Sequence, residues 1–137
     1  MILTISGKLE NTNSEHGAQF DLNMLLALQQ TVINTNTPWT KGMTKFEGPT
    51  LKELLKHVGA IPEEVMATAL NGYRIKLPIV DINNYPMIIA LKRDDEVLSV
   101  RTKGPIWVIY PWSENPEIRD NLYYTRSIWQ LQQLDIN

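Results

Sequence analysis

The apolar residues of this chain occur in short stretches, and this spacing limits the folds that the chain can adopt. The longest uninterrupted stretches, such as Met87 to Leu91 and Ile106 to Tyr110, span only about five residues. A bilayer-spanning helix needs roughly 20 apolar residues, and a coiled coil needs a sustained heptad pattern. Both classes are therefore excluded. Stretches of this length that end at prolines or charged turns are typical of strands buried on both faces.

Other strands are predicted by alternation of apolar and polar residues. Leu3 to Leu9 alternate with a period of two, and so do Arg74 to Ile79. The second stretch follows Asn71-Gly72, the strongest short signal for a β-hairpin. Arg126 to Ile136 is predicted as a closing strand, with a bulge between Leu131 and Leu134 because the apolar parity changes there.

Capping residues indicate where the helices begin. Asp21 can cap a helix over Leu22 to Leu28, and Thr50 can cap a helix over Leu51 to Val58. Thr50 and Glu53 match a capping box, and the apolar residues that follow recur at helical spacing. Pro116 to Leu122 is predicted to form one or two helical turns.

The predicted elements define a fold class. They amount to about eight strands and two or three short helices, without a regular βαβ alternation. This pattern predicts an α+β fold built on antiparallel or mixed sheets. The 137 residues match the usual size of one domain, and no repeat or linker interrupts them. We therefore predict a single domain over residues 1–137.

Charge and cysteine content exclude several classes of function. Thirteen Lys and Arg residues oppose 15 Asp and Glu residues, which gives a net charge of −2. Without a basic patch, neither nucleic acid nor a membrane surface is expected as a partner. The chain has no cysteine, which excludes disulfides, thiolate metal ligands and cysteine nucleophiles. The N-terminus carries no signal peptide, which leaves open a cytosolic protein or an exported one processed before Ile2.

No catalytic or metal-binding constellation is evident. His16 lies in a polar loop and His57 lies off the apolar stripe of its helix, so both are predicted to be ordinary surface residues. A metal site or a general base needs convergent partners, and the glycines are too dispersed for a phosphate-binding loop. No serine lies in a nucleophile-elbow context.

Aromatic residues next to prolines and turns are the strongest functional signal. Trp39 and Trp112 each follow a proline, Tyr73 follows the Asn71-Gly72 turn, and Tyr124 precedes Arg126. Aromatic side chains at strand ends can line a cleft and stack on a flat ligand. For both tryptophans a core role remains equally open. Trp107 and Trp129 lie inside predicted strands and are expected in the core.

Polar residues beside these aromatics complete the candidate site. Asn36 and Thr37 offer amide and hydroxyl groups to the edge of a heterocycle, or alternatively hydrogen bonds within a local turn. A partly buried Arg126 needs either a carboxylate or a ligand oxygen as its partner. The candidate ligand-binding residues are Asn36, Thr37, Trp39, Tyr73, Trp112, Tyr124 and Arg126.

Several short motifs resemble the sulfite-oxidase-type oxidoreductase molybdopterin-binding domain family, and together they extend from about Ile2 to Ile136. The motifs are Thr37-Pro-Trp, Phe46-Glu-Gly, Leu51-Lys-Glu-Leu-Leu, Gly59-Ala, Ala69-Leu-Asn-Gly-Tyr73, Ile88-Ile-Ala-Leu, Leu98 to Pro105 and Arg126-Ser-Ile-Trp-Gln-Leu131. The resemblance implies the mixed α+β fold of that domain and a cleft that holds a pterin.

The resemblance also suggests a branch that has lost its metal ligand. Catalytic members bind molybdenum through the cofactor dithiolene and one cysteine, in a segment that falls near Val32 to Thr37. Here that segment is Val-Ile-Asn-Thr-Asn-Thr, and neither Asn nor Thr replaces a thiolate as a soft ligand. The chain is similar to short, cysteine-less family members described as pterin-binding proteins.

These resemblances lead to one main hypothesis and two alternatives. The main hypothesis is non-catalytic binding of a pterin, without molybdenum, by a periplasmic module that reports to a membrane-bound signalling protein. The first alternative is a molybdopterin-dependent oxidoreductase or a subunit of one. The second is a protein-interaction domain that accepts a partner segment, for example by strand addition.

Overall fold

The computed structural model describes residues 2–15 and 17–137, and within these residues it contains three β-sheets and four α-helices. The strands are β1 (Leu3–Gly7), β2 (Ala18–Phe20), β3 (Thr31–Thr35), β4 (Thr44–Gly48), β5 (Val65–Ala69), β6 (Arg74–Leu77), β7 (Ile88–Ala90), β8 (Lys92–Arg93), β9 (Glu96–Val97), β10 (Trp107–Ile109) and β11 (Leu131–Ile136). The α-helices are α1 (Leu22–Leu26), α2 (Leu51–His57), α3 (Ile79–Asn84) and α4 (Asn121–Thr125). Single 3₁₀ turns cover Val100–Thr102, Trp112–Glu114 and Pro116–Ile118. The predicted α+β class is confirmed.

The largest sheet brings the two ends of the described chain together. Its order is β2-β1-β11-β5-β6, with β1 and β11 parallel and the other pairs antiparallel. The β5–β6 hairpin turns at Asn71-Gly72, as predicted, and Gly72 has a φ of +87°. The pairing of β11 with β5 shifts register between Leu131 and Gln133, which confirms the predicted bulge.

The other two sheets are smaller, and only the β7–β10 pair is buried along its whole length. A four-stranded sheet has the order β3-β4-β8-β9, and β7 pairs with β10 in a two-stranded sheet. All six residues of β7 and β10 are buried, as expected for continuous apolar strands. Gly48 at the end of β4 permits close approach to β7, because a Cβ there would lie 1.9 Å from the Ile89 carbonyl oxygen.

The two predicted helix starts are confirmed. The Asp21 side chain accepts a hydrogen bond from the backbone N–H of Met24 (2.8 Å) and caps α1. The Thr50 hydroxyl accepts a hydrogen bond from the backbone N–H of Glu53 (3.1 Å) and caps α2. These side chains satisfy backbone donors that have no partner within the helix.

Two local predictions are wrong. The strand predicted over Arg74 to Ile79 ends at Leu77, and residues 79–84 form α3 instead. Pro78 at the N-cap ends the strand because proline cannot continue its hydrogen bonding. Arg126 does not begin a strand. It is the C-cap of α4, whose N-cap Asp120 accepts a hydrogen bond from the backbone N–H of Tyr123, and β11 starts only at Leu131.

Two further expectations concern the exposure of the histidines and the length of the helices. His57 is exposed, as predicted, whereas Met1 and His16 lie outside the described residues. Among the helices within residues 2–15 and 17–137, none has the length and apolar content required to cross a membrane.

Candidate ligand-binding cleft

A cavity of about 530 Å³ opens between the loop after β3, the β5–β6 turn and the segment that runs from α4 to β11. We call it the aromatic cleft. Its lining residues are Pro38, Trp39, Ala69, Asn71, Tyr73, Asn121, Tyr124, Thr125, Ser127, Ile128 and Trp129. The volume lies within the range of roughly 300–1,000 Å³ that is typical of small-molecule sites.

Trp39 lies at the centre of the aromatic cluster behind this cleft. Its ring makes edge-to-face contacts with Trp129 (centroids 5.4 Å apart), Trp107 (5.8 Å), Tyr124 (6.0 Å) and Trp112 (6.1 Å). Edge-to-face geometry is favourable because the positive edge of one ring meets the negative face of another. Four such contacts fix the orientation of Trp39 while part of its ring remains available to the cleft.

One buried hydroxyl anchors the part of the cleft wall that leads into β11. The Ser127 hydroxyl donates a hydrogen bond to the Val108 carbonyl and accepts one from Trp107 Nε1 (3.1 Å). Trp107 is fully buried, as predicted for a core residue. These bonds tie the segment before β11 to β10, and thereby place the Trp129 side chain at the cleft.

The prediction that Trp129 belongs to the core is wrong. Its side chain is 36% exposed and lines the aromatic cleft. The reason is local: Gln130 has a φ of +54°, so the chain turns before β11 and Trp129 does not follow the strand alternation. Lys103 Nζ lies 4.5 Å from the centroid of the Trp129 ring, a cation–π contact that supports the ring from outside the cleft.

A second cavity of about 570 Å³ adjoins the aromatic cleft, and both are bordered by Pro38 and Tyr124. We call it the polar cavity. Its lining residues are Asn36, Thr37, Pro38, Met43, Trp112, Ser113, Arg119 and Tyr124. Arg119 Nε donates a hydrogen bond to the Trp112 carbonyl (2.7 Å). Arg119 is the one charged residue among the described residues that line the two cavities.

Six of the seven predicted site residues line one of these two cavities. The aromatic cleft contains Trp39, Tyr73 and Tyr124, and the polar cavity contains Asn36, Thr37, Trp112 and again Tyr124. That any of them contacts a ligand stays a prediction.

Two of the six have the structural role that was left open for them. Trp112 is 1% exposed, so its ring packs mainly in the core. The Thr37 hydroxyl accepts a hydrogen bond from the backbone N–H of Trp39 (3.1 Å) and is paired with the Thr40 hydroxyl (2.7 Å), which stabilises the local turn.

Arg126 is located differently from the other six. It lines neither cavity, and its Nη1 donates a hydrogen bond to Asp81 Oδ2 at 2.9 Å. Of the two partners considered for this guanidinium, the structure shows the carboxylate. Tyr123 covers the guanidinium, with 5.1 Å between Arg126 Cζ and the ring centroid.

Sequence reasoning missed several lining residues. Asn71 was recognised as a turn residue but not as part of a cleft wall, and Asn121, Thr125 and Ser127 were assigned no role. Arg119 was also missed. A signal was available for some of them: Asn71 lies in the motif Ala69-Leu-Asn-Gly-Tyr73 and Ser127 in Arg126-Ser-Ile-Trp-Gln-Leu131, the stretches that carry the family resemblance. Side-chain polarity alone does not show which loops meet.

Comparison with known proteins identifies the family. A family model described as the oxidoreductase molybdopterin binding domain matches residues 11–115, which is most of the chain. The chain belongs to this family. The resemblance to the sulfite-oxidase-type domain is therefore confirmed.

A solved structure supports the fold of this molybdopterin-binding domain. The sulfane dehydrogenase SoxCD from Paracoccus pantotrophus is similar with a TM-score of 0.70 and 16% sequence identity. The similarity covers 98% of this chain and 37% of that chain, so the domain described here corresponds to little more than a third of the SoxCD chain. A search of curated proteins found no significant match.

The residues at the expected metal position do not fit a thiolate-bound molybdenum. The segment where the resemblance places the ligating cysteine is the end of β3, where Thr35 is buried and its hydroxyl is hydrogen-bonded to Ser113 Oγ (3.1 Å). The next residue, Asn36, offers an amide, and the chain has no cysteine. In the part of the chain that the structure describes, no three His, Cys, Asp or Glu side chains form a group suitable for a metal. The aromatic cleft, in contrast, offers the side-chain rings of Trp39, Tyr73, Tyr124 and Trp129 to a ligand.

Proposed function

We propose that this protein binds a pterin in the aromatic cleft without carrying out oxo-transfer, and that it reports the bound pterin to a membrane signalling partner. The observation that carries the proposal is a cleft of about 530 Å³ walled by Trp39, Tyr124 and Trp129, in a family domain whose chain has no cysteine. A soft metal such as molybdenum favours a thiolate ligand, and amide and hydroxyl groups do not replace one.

The composition of the cleft matches the chemistry of a pterin. A pterin is a flat bicyclic nitrogen heterocycle with apolar faces and an edge of hydrogen-bond donors and acceptors. Tryptophan and tyrosine rings suit the faces, and the amides of Asn71 and Asn121 can both donate and accept at the edge. No carboxylate lines the aromatic cleft among the described residues, so an electron-rich carbonyl edge is not repelled.

The signalling role and a periplasmic location form the second part of the proposal. They are supported by the resemblance to short, cysteine-less family members that act as exported partners of membrane sensors. A domain that binds a pterin but lacks the cysteine for the metal does not consume its ligand, so its occupancy can report the pterin concentration. Co-purification of the exported protein with a membrane protein in a pterin-dependent manner is the expected result. Recovery from the cytoplasmic fraction alone would contradict this part.

Family membership also favours a second candidate function, a molybdopterin-dependent oxidoreductase or a subunit of one. The family's description and the similarity of fold to a sulfane dehydrogenase both support it. Metal analysis of the protein purified from a molybdenum-replete host distinguishes the two. One molar equivalent of molybdenum would establish the second candidate and refute the first.

Pterin binding is tested by titration with 6-methylpterin and its tetrahydro form while tryptophan fluorescence is recorded. All four tryptophans belong to the aromatic cluster, so a bound pterin should quench a large part of the emission. We expect saturable binding. Trp129→Leu should weaken it about tenfold, since stacking on one aromatic ring contributes about 1–3 kcal/mol.

The matched control is Tyr85→Leu, which removes a partly exposed aromatic ring that lines neither cavity. This variant should bind pterin as the wild type does. The absence of saturable binding for both forms of the pterin, with the protein folded by circular dichroism, would refute the proposal. Capture of a protein partner by variants that have lost pterin binding would instead favour the protein-interaction alternative.

A further inference from the structure

Asp81 is an ionisable residue in a buried position. It lies on α3, is 2% exposed and lines neither cavity. A buried carboxylate is costly unless it is paired and hydrogen-bonded, and an apolar pair of similar shape is often at least as stable. A carboxylate at this position therefore calls for an explanation other than stability alone.

Two side chains from different elements share one oxygen of this carboxylate. Arg126 Nη1 donates a hydrogen bond to Asp81 Oδ2 at 2.9 Å, and the Tyr110 hydroxyl donates to the same atom at 2.8 Å. Arg126 is the C-cap of α4, and Tyr110 directly follows β10 and is fully buried. Asp81 thus connects α3, α4 and the end of β10.

The elements that Asp81 connects carry one wall of the aromatic cleft. Asn121, Tyr124 and Thr125 lie on α4, and residues 127–129 follow Arg126 directly. A helix of five residues is not stable by itself, so its orientation depends on tertiary contacts. The contact of Arg126 with Asp81 holds the C-terminal end of α4, at the point where the chain enters the cleft wall.

We infer that Asp81 is a positioning residue of the aromatic cleft, which acts through Arg126 and Tyr110 to orient α4 and residues 127–129 toward the ligand. This inference rests on the proposed function for its ligand but adds a residue that touches no cavity. It also gives Arg126 a role: the guanidinium orients the wall and does not contact the pterin. The ion pair between Arg126 and Asp81 holds Tyr124 and Trp129 in the orientation that matches a flat ring.

The test compares Asp81→Asn with Asp135→Asn. Both substitutions neutralise a hydrogen-bonded aspartate, but Asp135 lies on β11 and is bonded to Ser6 and Gln133, and it lines neither cavity. Two measurements are made on folded protein: the Kd of 6-methylpterin by fluorescence titration, and the near-UV circular dichroism of the protein without ligand. We expect Asp81→Asn to weaken binding at least tenfold and to change the aromatic circular dichroism. Asp135→Asn should leave both within twofold of the wild type.

A conservative variant separates positioning from general stability. Arg126→Lys keeps the positive charge and should retain binding within about threefold, whereas Arg126→Met should lose at least tenfold. If Asp81→Asn does not fold, these two variants decide the question, and equal affinities for them would overturn the inference.

The outcomes distinguish this inference from the proposed function. Wild-type affinity in folded Asp81→Asn would overturn the inference and leave the pterin site intact. If the wild type binds no pterin, the proposed function fails, and the circular dichroism of the free protein still decides whether Asp81 orients the wall. An unchanged aromatic spectrum in Asp81→Asn would then overturn it.

Discussion

Replacement of Ser127 by alanine should destabilise the protein far more than the loss of one surface hydroxyl. The substitution removes the acceptor for Trp107 Nε1 and the donor to the Val108 carbonyl, and both Trp107 and Val108 are fully buried. A buried donor left without a partner costs about 1–3 kcal/mol, and the second lost hydrogen bond adds about 1 kcal/mol. We therefore expect Ser127→Ala to lower the free energy of unfolding by about 2–4 kcal/mol.

The assay is urea denaturation in a double-mutant cycle with Trp107→Phe, which removes the indole donor itself. In the Trp107→Phe background the cost of Ser127→Ala should fall by about 1–3 kcal/mol, because no orphaned N–H remains. A cost below about 0.5 kcal/mol in the wild-type background, or an equal cost in both backgrounds, would refute this reasoning.

Three further predictions concern other parts of the fold. Burial and the adjacent Asp81 carboxylate raise the pKa of Tyr110, so above pH ~10 this tyrosine ionises in the unfolded chain before it ionises in the folded protein. The free energy of unfolding should therefore fall by up to about 1.4 kcal/mol per pH unit above pH ~10, and Tyr110→Phe should remove this pH-dependent loss in denaturation at high pH. Gly48→Ala should lower the free energy of unfolding, measured in urea, by about 3 kcal/mol because its Cβ would meet the Ile89 carbonyl. Gly42→Ala, with open space and a φ of +63°, should lower it by only about 1 kcal/mol, and equal losses for the two variants would contradict the close-approach argument. Thr50→Ala should lower stability by about 1 kcal/mol through loss of the α2 cap, and an unchanged urea midpoint would contradict that role.

The parts of the fold that follow from local chemistry could be predicted from the sequence. The caps at Asp21 and Thr50, the Asn71-Gly72 hairpin and the β11 bulge all depend on residues close together in the chain. Helix α3 could not be predicted in this way, because Ile79 continues the apolar alternation of β6 although Pro78 already ends that strand. The parallel pairing of β1 with β11 also could not be predicted, since nothing local specifies a partner more than a hundred residues away.

The candidate site shows the same division. Aromatic residues next to prolines and turns indicated a cleft, and Trp39, Tyr73 and Tyr124 do line one. The position of Trp129 depends on the turn at Gln130, and the partner of Arg126 lies on a helix that was not predicted. Position along the chain identifies side chains suited to a ligand, whereas only packing decides which of them face it.

The central place of β11 has a consequence for how the chain folds. Before this strand is available, β1 with β2 and β5 with β6 are separate two-stranded hairpins, and such hairpins are marginally stable in water. On a ribosome, synthesis must therefore reach residue 136 before the largest sheet can close. Removal of residues 131–137 should leave β1 and β5 without the strand that joins them, and their unpaired edges should make the protein prone to aggregation. Removal of the edge strand β6 should be tolerated far better, because β6 pairs with β5 alone.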